Sequence, residues 1–480
     1  MNRRTFVAMS AAAAVAAAKD TAAQTQEKHD KRPNIILLLG DDHRASALGC
    51  MGNSMVKTSH LDKLARNGVL FENHFCTTPI CCISRASIML GQYASTHDIL
   101  NFDKPLSAEQ VDRSYFSLLR KAGYHTGFIG KFGVGKTMPE KSFDVWNGFG
   151  GQGHYFPQGE PGPHLTDIMA DQTDDFLKSA PKDKPFCLSV SYKAPHEQDE
   201  DPRVYLPSKE TRALYDGMHM PPPYGAGSQD INRFPLEIQR SENRRRWAPR
   251  FSTPALYQES VKGYYALVSG IDKAMGRLRT TLAQQGLAEN TIILYSADHG
   301  CYNGEHGFSG KWYAHEESIR IPLIVFDPRQ PATARGKRKK NKTLNIDLHP
   351  TVLDFAGVQA PENTQGHSFA AEIRNQQAAP REIFFIEHHF PFKGFIPSSD
   401  AIRTSRWKYI RYTDNAAPFE ELYDLQLDRH ETKNLAKSPQ HAKHLKTLQG
   451  YCTKWKESFA QKGAWSEPVT AADAKRDGVA

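Results

Sequence analysis

Four stretches of the chain are almost continuously apolar and of strand length: Asn34-Ile35-Ile36-Leu37-Leu38-Leu39, Pro185-Phe186-Cys187-Leu188-Ser189-Val190, Thr291-Ile292-Ile293-Leu294-Tyr295 and Ile321-Pro322-Leu323-Ile324-Val325-Phe326. Such runs fit strands buried on both faces, as in a parallel sheet. Helical periodicity alternates with them at roughly 60–68, 84–92, 112–123, 164–180 and 257–286. The alternation predicts an α/β fold: a large, mostly parallel sheet sandwiched by helices. Residues 200–256, rich in Pro, Gly and Arg, break the pattern and predict an inserted surface loop. Within it, Arg244-Arg245-Arg246-Trp247 reads as a solvated face or a substrate rim. The basic run Arg335–Lys340 predicts an exposed loop. After about residue 375 the pattern shortens to strands at 382–386, 401–404, 407–412 and 421–425, then a helix over 438–460. This predicts a main domain over 32–375 and a smaller antiparallel-sheet subdomain, closed by a helix, over 376–480. No internal repeat is visible.

The first residues carry an address. Arg3-Arg4-Thr5-Phe6 precedes an alanine-rich apolar stretch from Val7 to Ala18. That reads as an export signal over 1–23, of the twin-arginine type, though an ordinary secretory signal fits the same residues. It predicts a periplasmic or secreted bacterial protein. No other apolar run approaches the roughly 18 residues of a membrane span, so no stable membrane insertion is expected.

Composition narrows the field. With 39% hydrophobic and 24% charged residues among 480, the chain is neither disordered, collagen-like nor disulfide-dense. A net charge of +8 is too weak to argue for nucleic acid but suits an anionic substrate. Seven cysteines are too few for a disulfide framework, and the odd count leaves a thiol unpaired.

The chemistry-bearing residues stand at strand ends. Asp41-Asp42 follows the first run, Asp298-His299 follows the run at 291–296, and His196 ends the segment after 185–190. Ligands bind at the carboxyl ends of strands in open α/β sheets, so neighbouring strands would gather these groups at one edge. Asp-Asp after a strand also fits a turn with a helix N-cap. The second Asp-His pair favours a site, where adjacent carboxylates need a compensating positive charge. A hard cation, Ca²⁺ or alternatively Mg²⁺, prefers such oxygens, and one imidazole without an obvious thiolate argues against zinc. Cys81 lies just before a helix with Arg85 one turn on, a setting that favours an anion.

These segments, in order, resemble the formylglycine-dependent sulfatases of the alkaline phosphatase superfamily. Cys81-Cys82-Ile83-Ser84-Arg85, with Gly91 and Tyr93 downstream, is similar to the family's Cys-x-Pro/Ala-x-Arg maturation motif. Asp41-Asp42, Gly130-Lys131-Phe132-Gly133-Val134-Gly135 and Ala194-Pro195-His196 match further family segments. So do Ser296–Gly300 with Gly304-Glu305-His306-Gly307 and Lys311, Glu316–Pro322, and Leu422–Leu425 with Glu431 and Asn434. The match runs over roughly 32–436.

The resemblance implies an alkaline phosphatase-like fold and oxidation of Cys81 to formylglycine by a formylglycine-generating enzyme. It implies a metal held by Asp41, Asp42, Asp298, His299 and residue 81. Lys131 and Lys311 would neutralise sulfate oxygens and Arg85 would orient the hydrated aldehyde. One hydroxyl of that hydrate attacks sulfur, and the other later expels sulfate. His196 is the candidate general acid for the leaving alcohol. His306 is a lesser candidate, and a structural role fits it as well. The leaving group would meet the 200–256 loop and residues around His388, His389 and Lys393, where Arg, His and Trp suit an anionic sugar. A sulfated polysaccharide or oligosaccharide is the expected substrate. Two positions depart from the family: Ile83 where Pro or Ala is usual, and Gly133 where many members carry histidine. A phosphodiesterase or phosphonate monoester hydrolase of the same superfamily, and an unmatured glycan-binding protein, are the rival readings.

Overall fold

The computed structural model describes residues 32–225, 230–390, 395–414, 419–460 and 465–480. The predicted export signal and Lys393 lie outside these residues. The strands in chain order are β1 (Asn34–Gly40), β2 (Val69–Phe75), β3 (His125–Lys131), β4 (Val145–Phe149), β5 (Phe186–Ser191), β6 (Thr291–Ala297), β7 (Tyr302–Asn303) and β8 (Ser309–Gly310). They continue as β9 (Arg320–Ile321), β10 (Leu323–Phe326), β11 (Lys337–Leu344), β12 (Ile383–His388), β13 (Ser399–Thr404), β14 (Trp407–Tyr412) and β15 (Phe419–Asp424). The longer helices are α1 (Ser59–Asn67), α2 (Cys81–Leu90), α3 (Ala108–Arg113), α4 (Tyr115–Lys121), α5 (Leu165–Ser179), α6 (Glu242–Phe251), α7 (Pro254–Gln284), α8 (Leu348–Phe355), α9 (Ala442–Ser458) and α10 (Ala471–Arg476).

The large sheet has the order β11-β2-β10-β6-β1-β5-β3-β4, with β9 beside β2. It is mostly parallel; β9 and β10 run antiparallel to their neighbours. The apolar run of β1 explains why both faces are covered. Ile36 and Leu38 pack with α1, α5 and α7 on one side, and Ile35, Leu37 and Leu39 pack with α2, α4 and α8 on the other. A second sheet, β12-β13-β14-β15, is wholly antiparallel. It shares a core with the start of α2: Phe384, Ile402 and Tyr409 lie in one cluster with Ile80, Cys82 and Ile83.

Three expectations are corrected. The basic run is not a loop: its residues Lys337–Lys340 form the first half of β11, an edge strand pairing parallel with β2. Its charges project from a sheet edge, where lysines discourage pairing with other chains. Residues 200–256 are likewise not one loop: α6 buries Trp247 and Phe251, four residues apart, in a cluster with Tyr215 and Met220. The helical pattern at 112–123 is split at Ser114, whose side chain caps α4.

Candidate active site

The strand order sets β6, β1, β5 and β3 side by side, so their carboxyl ends deliver Asp298, Asp41 with Asp42, the His196 segment and Lys131 to one place. The turn after β1 is tightly held. Asp41 N–H donates to Ala194 O at 3.0 Å, and Asp298 N–H donates to Gly40 O at 3.1 Å. Asp42 sits in the left-handed region at φ 65°. The Tyr264 hydroxyl of α7 donates to its carbonyl at 2.8 Å, and Asp298 Oδ1 accepts from its N–H at 3.3 Å.

Cys81 is the first residue of α2, with Ile80 in extended conformation before it. The strap into this helix is fixed by Thr77 N–H donating to Asn345 Oδ1 at 3.1 Å and Trp312 N–H donating to Pro79 O at 3.2 Å. Ser84 Oγ, one turn on, donates to Asp298 O at 2.5 Å. The Cys81 thiol therefore lies 3.4 Å from Asp41 Oδ1, 3.3 Å from His299 Nε2 and 3.6 Å from Lys311 Nζ, all buried.

Three carboxylates here face three side-chain cations. Arg85 spans the cluster: Nε donates to Asp298 Oδ2 at 2.9 Å, Nη2 lies 3.3 Å from Asp41 Oδ2, and Nη1 donates to Lys131 O at 2.7 Å and to Ser191 Oγ. Lys131 pairs with Asp41 and Gln152, and Lys311 donates to Asp42 at 2.9 Å. His299 Nδ1 is 3.1 Å from Asp42 Oδ1. Burial pushes the Asp41 carboxyl up, but Lys131, His196, Arg85 and Lys311 together bring it well below the usual range. Asp42 is raised, because burial, reinforced by Asp41 and Glu197, outweighs Lys311 and His299. Burial opposes protonation of His299, yet Asp298, Cys81 and Asp42 raise it to about 9.

Asp41, Asp42, Cys81 and His299 offer one donor atom each, all within 4.8 Å of one another. That spacing fits a single cation; the donors are two carboxylates, an imidazole and, against the expectation that no thiolate is near, the Cys81 sulfur, and the set suits a hard cation once an oxygen of formylglycine replaces that sulfur. Asp298 adjoins the group with Oδ1 toward Asp42 N–H and Oδ2 held by Arg85. His196 stands at the rim of the cluster. Its Nδ1 meets the Glu197 carbonyl at 2.7 Å, so that nitrogen carries the proton and Nε2, 3.7 Å from Asp42 Oδ2, faces the cluster. Burial, then Lys311, holds this imidazole well below its ordinary pKa.

Residues 33–358 match the Sulfatase family. The chain belongs to the sulfatase family. As a sulfatase it is a sulfuric ester hydrolase, and the family implies a formylglycine and a metal ion. Residues 304–458 also match the C-terminal region of N-sulphoglucosamine sulphohydrolase. The sulfatase is 28% identical to an N-acetylglucosamine-6-O-sulfatase of Bacteroides thetaiotaomicron, over 89% of this chain and 86% of that one. It is also 28% identical to an arylsulfatase of Clostridium perfringens, over 87% and 93% of the two chains. A solved structure in complex with D-glucosamine-2-N,6-O-disulfate superposes with a TM-score of 0.75 at 26% identity, covering 89% of this chain and 98% of that one. A phosphonate monoester hydrolase from Silicibacter pomeroyi, with a TM-score of 0.75 at 23% identity over 89% and 95% of the chains, shares the fold.

The remaining candidates of the sulfatase lie elsewhere. His306 pairs with Arg233 and with Glu317 at 3.4 Å, stacks on His315 at 4.5 Å between ring centres, and belongs to a separate buried group with Glu317 and Glu431. His389 Nε2 is 2.7 Å from Asp400, which Arg411 and Lys456 also hold. His388, at the end of β12, is buried with both ring nitrogens free of hydrogen bonds among the described residues, and burial lowers it to about 3. Arg246 pairs with Glu197 and Glu242 and lies over Trp312, while Arg244 stacks on Trp247. Sequence reasoning missed Lys193, Glu197, Gln152 and Tyr264. Lys193 and Glu197 flank His196 closely enough to be found; Gln152 and Tyr264 carry no local signal. No described helix is long and apolar enough to cross a membrane.

Proposed function

We propose that the sulfatase removes sulfate esters from sulfated oligosaccharides or polysaccharides, with sulfated glucosamine as the first unit to test. The observation that carries this reading is the Cys81 thiol at the start of α2, touching Asp41, His299 and Lys311 inside one buried cluster. The glycan assignment draws on the N-acetylglucosamine-6-O-sulfatase and on the disulfated glucosamine complex among its relatives. When present, formylglycine at residue 81 supplies a hydrated aldehyde as nucleophile, and a divalent cation, Ca²⁺ in this reading, supplies Lewis acidity. Asp41, Asp42, Asp298 and His299 would hold that cation.

The chain's own residues do the rest. Lys131 and Lys311 neutralise the oxygens of the sulfo group. Arg85 fixes the position of residue 81 against Asp298 and Asp41. His196, its Nδ1–H committed to Glu197 O, turns Nε2 toward the leaving oxygen; it serves as general acid in its imidazolium form, which the negative charge of a bound sulfate ester favours against burial and Lys311. Burial of the cluster strengthens each of these charges. The protein matures through a formylglycine-generating enzyme and works in the periplasm or outside the cell, exported by the signal in residues 1–23.

Sulfate release from 6-O-sulfated glucosamine oligosaccharides, read by ion chromatography, tests the reading. Turnover by the matured protein and none by Cys81→Ala is the expected result. Hydrolysis of phosphonate monoesters with no sulfate released from any sulfated sugar would overturn it.

A further inference from the structure

The cations of the site are not alike in their partners. Lys131 pairs with Asp41, Lys311 with Asp42, and Arg85 with Asp298 and Asp41. Lys193 is equally buried, 1% exposed, yet among the described residues no carboxylate pairs with its ammonium. Its Nζ donates to Glu197 O at 3.0 Å and lies 5.0 Å from the centre of the Tyr155 ring. A buried charge without a counterion is unfavourable unless a ligand supplies one.

The surroundings set this ammonium beside His196, at the border of the cluster. The Glu197 carbonyl that receives Lys193 also receives His196 Nδ1, so ammonium and imidazole are neighbours across one oxygen. Lys193 stands two residues beyond Ser191, whose hydroxyl meets Arg85. The next carbonyl along, Ala194 O, takes the Asp41 N–H. Burial first, then the charge of Lys131, lowers the Lys193 ammonium to about 8, while Asp41 opposes the shift.

Gly133 supplies the second observation. It has φ 74°, and a Cβ there would lie 2.8 Å from Arg85 Cδ and 3.5 Å from Lys131 Cε. No side chain fits on that wall of the site without displacing Arg85, so that segment offers the substrate no donor beyond Lys131. Lys193 is a buried donor with N–H groups to spare.

Resting on the sulfatase reading, we propose that Lys193 binds the sulfo group of the substrate, donating to a sulfate oxygen alongside Lys131 and Lys311. It is then a substrate-contacting residue, and its loss should weaken both turnover and the binding of sulfate itself.

The test uses the matured, metal-loaded enzyme, with Lys193→Met and Lys193→Arg as variants. Two readouts are taken: kcat/KM on 4-nitrophenyl sulfate, and the Kd of inorganic sulfate by calorimetry. Lys193→Met is expected to lower kcat/KM about 100-fold, as for a lost oxyanion donor, and to weaken sulfate about 10-fold. Lys193→Arg keeps charge and donors and should recover part of both. Metal content and formylglycine content should not change. Wild-type sulfate affinity in Lys193→Met, or equal losses in both variants with sulfate affinity intact, would overturn the proposal. A wild-type enzyme that neither hydrolyses sulfate esters nor binds sulfate would instead refute the sulfatase reading beneath it.

Discussion

Gly133 stands where many sulfatases carry histidine, and the structure predicts that no side chain can be restored there without harm. Consider Gly133→Ala. At φ 74° an L-residue is strained by roughly 1–2 kcal/mol. The added Cβ would sit 2.8 Å from Arg85 Cδ, closer than carbon atoms tolerate, and a tight 3.2 Å from its Nε. Arg85 cannot retreat, because its guanidinium is tied to Asp298, Asp41, Lys131 O and Ser191. Weakening one of these buried charge-assisted bonds adds about 1–3 kcal/mol. The sum is about 2–5 kcal/mol of lost stability. Arg85 also orients residue 81, so a displacement of a few tenths of an ångström should lower kcat/KM by about 10-fold or more. Gly133→His should behave no better, despite matching the family. Urea unfolding and aryl sulfate kinetics on both variants measure these effects. Unfolding free energy within about 0.5 kcal/mol of wild type, the range of a neutral surface change, would show that the wall of the site is not closed in this way.

Two further outcomes follow from buried groups. Ile83→Ala restores the family's usual residue at that position and should raise the converted fraction of Cys81, read by peptide mass. It should also lower stability by about 2–5 kcal/mol, because Ile83 is fully buried in the shared core. His97 accepts the Ile99 N–H on Nδ1 at 3.0 Å and meets Ser87 Oγ through Nε2 at 3.0 Å, so it is neutral and cannot take a proton without breaking a bond. Burial depresses it to about 3. The unfolded chain then binds the extra proton first, and stability falls as pH drops below the unfolded value. Between about pH 7.5 and about pH 5 the loss is about 2 kcal/mol for this residue, and His97→Gln should flatten the slope by that amount. An unchanged slope in the variant would refute the assignment.

The sequence was most legible where burial is symmetrical. β1, β5 and β6 lie between two helical layers, so their apolar runs announce them, and the Asp41, Asp298 and His196 that end or follow them could be read together. β2 and β3 were not legible: Glu72 and Asn73 interrupt the first, and Gly127 and Gly130 dilute the second. β11 was hidden by charges that an edge strand can bear. Inside the site, the acid residues and Cys81 stood in recognisable motifs. Tyr264 did not, because it arrives from the middle of α7, more than two hundred residues from the Asp42 carbonyl it holds. The separation of His306 and His389 from the cluster could not be read either, since it depends on Arg233, Glu317 and Asp400, which only the fold brings to them.

The proposed catalysis depends on what residue 81 becomes. Mass spectrometry of the tryptic peptide Asn67–Arg85 from protein purified from its native host measures this directly. The aldehyde mass at Cys81, with the Cys82 and Cys76 thiols intact, is the expected result. An unmodified Cys81 thiol in every copy would contradict it.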